Sequence, residues 1–321
     1  MISSSYPSRS NAAGGTIRNA IRNAISNAIR RAATGILAAS LVLFGTASAL
    51  AQERFSLFVP SAQPTVERLV KLAKIQDNDV VIDLGSGDGR IVLTAARTNP
   101  KVRGWGVDIN ETLVRQSNEE AKKQGVADRI QFYHRDVFDA DIREVTVINM
   151  WLFPELMRLL RPKILAEAKP GTRVLTHLFD MGSWQADEWD KESGSGVGLW
   201  IVPARVEGSW NWQLSFAGLN FTHDALLEQR FQMAEGVTRT GNRRGVFQNM
   251  RLRGEDLSFS LEMTLDGAGL TKHEFAGKVN GDQIKGTVKI STPDGKSFDL
   301  PWTARRTTTS AYFRPTGVDI K

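Results

Sequence analysis

A loop rich in glycine and aspartate follows the apolar run that starts at Val80, in the stretch VVIDLGSGDGRIVLTAA. Its alternating glycines are Gly85, Gly87 and Gly89. Glycine has no Cβ, so such a loop lets the backbone approach a bound ligand closely. A dinucleotide fingerprint needs a small residue where Arg90 stands, and Asp83 and Asp88 would repel a pyrophosphate. The loop therefore favours a ligand that has positive charge and no phosphate.

S-adenosyl-L-methionine fits this requirement, because it carries an ammonium group and a sulfonium but no phosphate. Asp83 can accept the ammonium through a charge-assisted hydrogen bond. Asp108 follows a second apolar run and can accept both ribose hydroxyls, and Asp136 follows a third run and can accept the adenine amino group. We therefore predict this cofactor. The predicted cofactor-binding residues are Asp83, Gly85, Ser86, Gly87, Asp88, Gly89, Asp108 and Asp136.

Short apolar runs alternate with helical segments from residue 66 to residue 206. The runs predicted as strands are DVVIDLG, VRGWGVDIN, RIQFYHRD, VTVINMWLF, TRVLTHLF and GLWIVPARV. Asn110 and Gly125 are placed to cap and to end the helix between the second and third strands, and Pro154 to begin the helix after the fourth. This alternation predicts a doubly wound, mostly parallel α/β sheet, in which ligands bind at the carboxyl ends of the strands.

The apolar pattern changes to a period of two after residue 206, which is typical of half-buried strands. The run SWNWQLSF places four large side chains on one face: Trp210, Trp212, Leu214 and Phe216. Asn280-Gly281 lies between two alternating runs and predicts a hairpin. Residues 207–321 are therefore predicted to form a smaller all-β domain, an antiparallel meander or a barrel-like fold.

Residues 1–51 carry five arginines and no acidic residue. A charge-free apolar segment follows the last arginine and ends in Ala49-Leu50-Ala51, a small-x-small cleavage pattern. We predict a signal peptide or an N-terminal membrane anchor, with the rest of the chain exported (periplasmic or extracytoplasmic). The alternatives are an unused extension on a cytoplasmic protein and an organelle transit peptide. The predicted divisions of the chain are 1–51, 52–206 and 207–321.

The chain has 41 basic and 35 acidic residues, and five of the arginines lie in residues 1–51, so the remainder is almost neutral. A nucleic-acid binder normally shows a basic body or stripe, and we therefore expect no nucleic-acid partner. The absence of cysteine excludes a disulfide framework, a thiolate metal site and a cysteine nucleophile. The histidines have no metal-ligand spacing and are interpreted as structural: His134, His177, His223 and His273.

The glycine loop, together with acids after the second and third strands, resembles the class I, or seven-strand, S-adenosylmethionine-dependent methyltransferases over roughly Phe58 to Val206. The segments FVP, VERLVKLAKI, VVIDLGSGDGRIVLTAA and GVDIN resemble the ATP synthase c-subunit lysine methyltransferase group. This resemblance implies a Rossmann-like methyltransferase domain at 52–206, in which the Val59-Pro60 segment covers the cofactor.

The segment INMWLF resembles the asparagine-aromatic stretch of the non-SET nucleosomal lysine methyltransferases. In those enzymes the stretch lines the channel where the methyl group meets the target amine. The resemblance implies an acceptor channel formed by Asn149, Trp151 and Phe153. N6-adenine methyltransferases carry an Asn/Asp-Pro-Pro-aromatic motif at this place, and the prolines are missing here, which disfavours a nucleic-acid substrate.

The leading hypothesis is methyl transfer to an amine of a protein lysine, with the β domain recruiting the protein partner. An apolar, aromatic channel would lower the pKa of the target lysine by removing water from its ammonium group. A second hypothesis keeps the fold and takes a small-molecule methyl acceptor. A third is an exported, non-enzymatic binding protein with a relic pocket, because cells make the cofactor in the cytoplasm. Membrane association is expected only through the N-terminal segment.

Overall fold

The computed structural model describes residues 58–190 and 196–309. The predicted signal peptide or anchor at 1–51 lies outside the described residues and stays a prediction. All elements below belong to one compact unit, Val59–Lys321. In the ranges described, no helix is both long and apolar enough to cross a membrane.

The first sheet in the described part of the chain has seven strands, in the order β3-β2-β1-β4-β5-β7-β6. They are β1 (Val80–Leu84), β2 (Arg103–Asp108), β3 (Ile130–His134), β4 (Val147–Met150), β5 (Arg173–His177), β6 (Glu188–Asp190) and β7 (Val197–Ile201). The first five strands pair in parallel. β7 pairs antiparallel with β5, and β6 pairs antiparallel with β7. The mostly parallel sheet is therefore confirmed, whereas β6 was not predicted.

One helix precedes the parallel strands, α1 (Gln63–Ala73), and three connect them: α2 (Arg90–Thr98), α3 (Glu111–Lys123) and α4 (Pro154–Glu167). The Asn110 side chain caps α3 by accepting the backbone N–H groups of Thr112 and Leu113, as predicted. Pro154 begins α4, also as predicted. The strand predicted to reach Phe153 ends earlier, at Met150. The apolar residues after Met150 belong to a connection because the following proline starts a helix.

The strands of the first sheet are apolar on both faces, as expected for parallel strands covered by helices. On one face, Val81 and Val147 share a buried cluster with Leu69 of α1. On the opposite face, Ile82 belongs to a cluster that contains Leu160 of α4. Burying one such side chain stabilises the fold by roughly 1.5–3 kcal/mol, so the register of β1 is strongly fixed.

The second sheet in the described residues has nine antiparallel strands in the order β11-β10-β9-β8-β16-β15-β14-β13-β12. They are β8 (Gly208–Phe216), β9 (Leu219–Arg230), β10 (Met233–Thr240), β11 (Arg243–Val246), β12 (Gln248–Arg253), β13 (Asp256–Leu265), β14 (Gly269–Asn280), β15 (Gln283–Ser291) and β16 (Ser297–Thr308). The hairpin predicted at Asn280-Gly281 joins β14 to β15: Asn280 ends β14 and pairs with Gln283, and Gly281, at φ +56°, and Asp282 form the turn. The four residues predicted to share one face, Trp210 to Phe216, are all buried. The antiparallel prediction is confirmed.

The second sheet packs directly against the first. The backbone N–H of Ala204 donates to the Gly254 carbonyl at 2.7 Å, and Arg253 donates to Glu188 at 2.9 Å. A Cβ placed on Gly254 would lie 3.0 Å from the Cα of Gly171. Since Gly171 precedes β5, this contact lies near the amino end of that strand. The second sheet therefore docks at the edge opposite to the carboxyl ends, where ligands of parallel sheets bind.

Two histidines are enclosed in the second sheet with 0% exposure. Thr271 Oγ1 donates to the Met263 carbonyl at 3.0 Å and thus accepts from His273 Nε2 at 2.8 Å. His223 Nδ1 lies 2.6 Å from Thr240 Oγ1. Burial lowers the pKa of His223 to about 3 and that of His273 to about 4. Both side chains are enclosed in the second sheet, and their structural role stays a prediction.

These histidines should make the fold sensitive to mild acid. Between pH 6.5 and pH 5 the unfolded chain takes up protons that the folded chain does not bind, so the free energy of unfolding should fall by about 1 kcal/mol per pH unit for each histidine. The double variant H223Q/H273Q should lose most of this slope, whatever its absolute stability. Exposed His134→Gln is the control and should keep the slope. Urea unfolding followed by tryptophan fluorescence measures it; an unchanged slope in the double variant would contradict the assignment.

Candidate active site

The carboxyl ends of β1, β4 and β5 bring three polar side chains onto one face. Asp83 in β1 is in register with Asn149 in β4, and Asn149 is in register with Leu175 in β5. Residues in register share a face, as do residues two apart on one strand. His177, two positions after Leu175, therefore lies on the same face as Asp83 and Asn149.

Asp83 is a buried acid with an unpartnered carboxyl oxygen. It is 2% exposed, and its Oδ1 atom has no hydrogen-bond partner in the described structure. Burial raises its pKa well above 3.8, and the negative charges of Asp108 and Asp88 raise it further. A buried carboxylate without a partner is expensive. A cation bound beside Asp83 would stabilise its charge, and the described chain does not supply one.

Asp79, a second buried acid just before β1, differs from Asp83 because it has hydrogen-bond partners. Asp79 precedes β1 and is 3% exposed. It accepts from Thr146 Oγ1 and from the backbone N–H of Gln76, both at 2.6 Å, and it pairs with the Arg173 guanidinium. Asp79 is thus satisfied at the amino end of the sheet, whereas Asp83 is unsatisfied at the carboxyl end.

The glycine loop is fastened to the end of β2 by backbone hydrogen bonds. The N–H groups of Gly85 and Ser86 donate to the Val107 carbonyl at 2.9 and 3.0 Å. The N–H of Gly87 donates to Asp108 Oδ2 at 2.8 Å. Gly85, Gly87 and Gly89 have φ values of +84°, +53° and +79°, a region that favours glycine. The loop is therefore preformed beside Asp83.

Close packing also requires glycine at particular positions. A Cβ on Gly85 would lie 2.5 Å from Leu152 Cδ2, and one on Gly89 would lie 2.5 Å from Phe132 Cζ. A Cβ on Gly106 would lie 2.4 Å from Ser86 Cβ. Gly106 was not predicted, although its place in Gly-x-Gly of β2, next to the loop, could have indicated it.

Asp88 is paired within the chain, and its contact with the ligand stays a prediction. Its carboxylate accepts from Arg90 Nε at 2.9 and 3.0 Å, so its charge is compensated within the chain. The predicted electrostatic repulsion of a pyrophosphate therefore depends on Asp83 rather than on both acids. Arg90 Nη1 also donates to the Ser61 carbonyl at 2.6 Å. Arg90 thereby holds the chain just after the Val59-Pro60 segment next to the glycine loop.

Asp108 and Asp136 also have structural partners. Asp108 Oδ1 accepts the backbone N–H of Asn110 at 2.8 Å, besides the bond of its Oδ2 to the loop. Asp136 is exposed, and its Oδ1 accepts the N–H of Phe138 at 2.9 Å, which caps a short 3₁₀ turn. Carboxylate oxygens have further lone pairs, so both can still accept a ligand hydroxyl or amine. Their ligand contacts stay predictions.

The predicted acceptor channel is brought together only in part. Asn149 is 4% exposed and is in register with Asp83. Trp151 is half-buried, and its ring centroid lies 4.5 Å from that of His177. Phe153 is 38% exposed at the start of α4. Asn149 and Trp151 thus flank the site with His177, while Phe153 lies at its solvent side.

His177 is interpreted from the sequence only as a structural residue, and the structure places it in the site. Its Nδ1 lies 3.2 Å from Ser61 Oγ, and its Nε2 is covered without a partner among the described residues. Burial, and then the charge of Arg68, lower its pKa below 6.5. Its place at the carboxyl end of the fifth predicted strand could have indicated the site, because parallel strands end at one edge.

Known proteins similar to this chain are methyltransferases. The model of the ANTKMT methyltransferase domain matches residues 83–188. A protein-lysine N-methyltransferase of Saccharolobus islandicus is 38% identical over 131 residues, 41% of this chain and 81% of its own length. The ATP synthase c-subunit lysine N-methyltransferase of Rattus norvegicus is 32% identical over 44% of this chain and 62% of its own length, less than two thirds of that relative.

Among solved structures, an RNA methyltransferase from Salinibacter ruber in complex with S-adenosyl-L-homocysteine is 43% identical. The match covers 46% of this chain and 96% of that one, with a TM-score of 0.45. The second sheet, which begins at Gly208, lies beyond the range of the family match.

Removing the charge of Asp83 should stabilise the ligand-free protein. Because the folded-state pKa of Asp83 is raised, the wild type loses stability as pH rises above 3.8, and Asp83→Asn avoids this loss. We expect a gain of about 1–3 kcal/mol in the free energy of unfolding at pH 8, and a smaller gain at pH 5. Urea unfolding at both pH values measures it.

The matched control is Asp79→Asn, which removes a buried acid that is fully partnered. This variant should lose about 1–3 kcal/mol because its hydrogen-bond donors are left unpaired. If both variants are destabilised alike at pH 8, Asp83 is an ordinary structural acid and the assignment is wrong.

Proposed function

Because this chain belongs to the protein-lysine N-methyltransferase family, we propose that it transfers a methyl group from S-adenosylmethionine to the side-chain amine of a protein lysine. Family membership follows from the Saccharolobus islandicus relative, which is 38% identical over 81% of its own length. The observation that carries the proposal is the buried Oδ1 of Asp83, which lacks a partner in the described structure and lies next to a preformed glycine loop.

The residues present fit this cofactor. Asp83 would hold the ammonium group, which supplies the missing cation. Asp108 would accept the ribose hydroxyls with its remaining lone pairs. Ile109 follows Asp108, and Phe138 lies two residues after Asp136. Their side chains are 38% and 40% exposed, so they offer apolar surface for the adenine next to Asp136. When bound, the cofactor would supply the methyl group: the lone pair of the amine forms the new C–N bond, and the electron pair of the broken C–S bond stays on sulfur.

The chain's own contribution to the transfer is to align and desolvate the amine. Alignment of two reactants can supply about 7–11 kcal/mol of the barrier. Lysine has an ordinary pKa near 10.4, so its ammonium must lose a proton before it can react. Trp151 gives the site an apolar wall, which favours the neutral amine. Asn149, buried beside Asp83, can orient the amine with its carboxamide.

The family favours a protein acceptor and an active enzyme over the small-molecule and relic hypotheses.

We also propose the doubly wound domain at 52–206, the β domain at 207–321 and export or anchoring through 1–51. The cytoplasmic and organellar alternatives for that N-terminal segment stay open, because it lies outside the described residues. The docking of the second sheet at the amino edge leaves the carboxyl edge accessible to a protein side chain.

Transfer of labelled methyl groups tests the proposal. The purified protein should pass label from S-adenosylmethionine to an extract of its own host, and the label should disappear after protease treatment but persist after ribonuclease. Asp83→Asn should reduce the rate between roughly tenfold and a hundredfold, the range for a lost charge-assisted hydrogen bond. The control is Asp141→Asn, an exposed acid paired with Arg143, which should keep full activity.

Several outcomes would contradict the proposal. Label that is removed by ribonuclease would identify RNA as the acceptor. Label found only in small molecules would support the second hypothesis. A folded protein that binds neither the cofactor nor S-adenosylhomocysteine in calorimetry would exclude a methyltransferase.

A further inference from the structure

We propose that His177 is the hydrogen-bond acceptor that orients the target amine, through the lone pair on its Nε2 atom. This inference rests on the proposed function and adds a residue of stated role to the same site. In the productive complex an N–H of the amine donates to Nε2, which leaves the amine lone pair free to point toward the methyl group.

The position of the ring supports this role. His177 shares the face of Asp83 and Asn149 at the carboxyl edge, and its ring lies 4.5 Å from that of Trp151 at 50°. β4 separates β1 from β5, so His177 lies beside the aromatic wall, on the side of it that faces away from Asp83.

The second observation is the unpaired Nε2 atom. His177 is 7% exposed, and Nε2 is fully covered without a partner in the described part of the chain. A buried polar atom without a partner costs about 1–3 kcal/mol. Buried polar atoms normally have partners. His223 Nε2 and His273 Nδ1 are also unpaired, but they are enclosed in the second sheet, whereas the ring of His177 lies at the carboxyl edge, where ligands of parallel sheets bind. The unpaired atom at that edge points to a partner outside the chain.

Ser61 determines which nitrogen is free. In the proposed state the N–H of His177 Nδ1 donates to Ser61 Oγ, 3.2 Å away. Nε2 then carries a lone pair and acts as an acceptor. Ser61 is itself held by the bond from Arg90 to its carbonyl, so the tautomer is coupled to the glycine loop.

Charge supports an acceptor rather than a donor. Burial and the nearby Arg68 keep the imidazole neutral by lowering its pKa. A neutral ring can accept an N–H from an amine or an ammonium, whereas an imidazolium would repel both the ammonium and the sulfonium. No proton is transferred to His177: the proton released by the amine goes to solvent.

The backbone after His177 is held in a strained conformation. Leu178 has φ +68°, a region that costs a branched residue about 1–3 kcal/mol. Its N–H donates to the Gly196 carbonyl at 2.7 Å, and the N–H of Phe179 donates to the His177 carbonyl at 2.8 Å. Such strain is typical of residues whose placement serves a site, and here it fixes the carboxyl end of β5.

Two matched ligands test the inference without knowledge of the protein acceptor. Both are analogues of S-adenosylhomocysteine in which nitrogen replaces sulfur; one carries an aminoalkyl arm and the other an alkyl arm of the same length. In the wild type the amino arm should improve Kd about tenfold or more over the alkyl arm, as expected for a hydrogen bond to a charged group. Calorimetry measures the ratio of the two Kd values.

His177→Phe removes the acceptor while retaining a ring, and it should bring that ratio close to one. His177→Gln keeps an acceptor oxygen and should restore part of the ratio. S-adenosylhomocysteine itself should bind all three proteins within about twofold. A ratio in H177F equal to that in the wild type, with S-adenosylhomocysteine still bound, overturns the role of His177. Failure of the wild type to bind S-adenosylhomocysteine overturns the proposed function instead.

Nitrogen NMR of the unmodified protein gives an independent reading if H177F does not fold. The His177 ring, assigned through its contact with Trp151, should show a protonated Nδ1 and an unprotonated Nε2. The aminoalkyl analogue should shift the Nε2 signal, and the alkyl analogue should leave it unchanged. A protonated Nε2 in the free protein, or equal shifts with both ligands, contradicts the proposal.

Discussion

The site depends on one unfavourable interaction, the burial of the Asp83 carboxyl group, whose Oδ1 atom has no hydrogen-bond partner in the described chain. The apolar residues of β1 force it inside, because their packing on both faces fixes the register of the strand. Asp79, near the other end of β1, shows that the fold can satisfy a buried acid when it needs one. The cost at Asp83 is therefore retained for a cationic ligand, which accounts for the preformed loop beside it.

Local signals in the sequence predicted much of this arrangement. The cap at Asn110, the proline at the start of α4 and the Asn280-Gly281 hairpin depend on neighbours in the chain, so short patterns reveal them. The glycine loop was predicted for the same reason, because its backbone conformations restrict residue type locally. The alternation of strands and helices also indicated the edge of the sheet at which ligands bind.

Features that depend on pairing between distant segments were not predicted. Gly106 in β2 is required by the side chain of Ser86, which lies in the loop after the neighbouring strand β1. His177 lies within an apolar run, and only the order of the strands shows that it shares a face with Asp83. The docking edge of the second sheet likewise has no local signature.

We infer that Asp83 binds a cationic ligand, and the ionisation of its carboxyl group tests this inference most directly. The carboxyl carbon signal of Asp83, identified by its loss in Asp83→Asn, can be followed by NMR against pH with and without S-adenosylhomocysteine. Without ligand the group should titrate well above 3.8; with ligand it should stay ionised over the same range, because the bound ammonium stabilises its charge. The same titration in both samples would contradict the account.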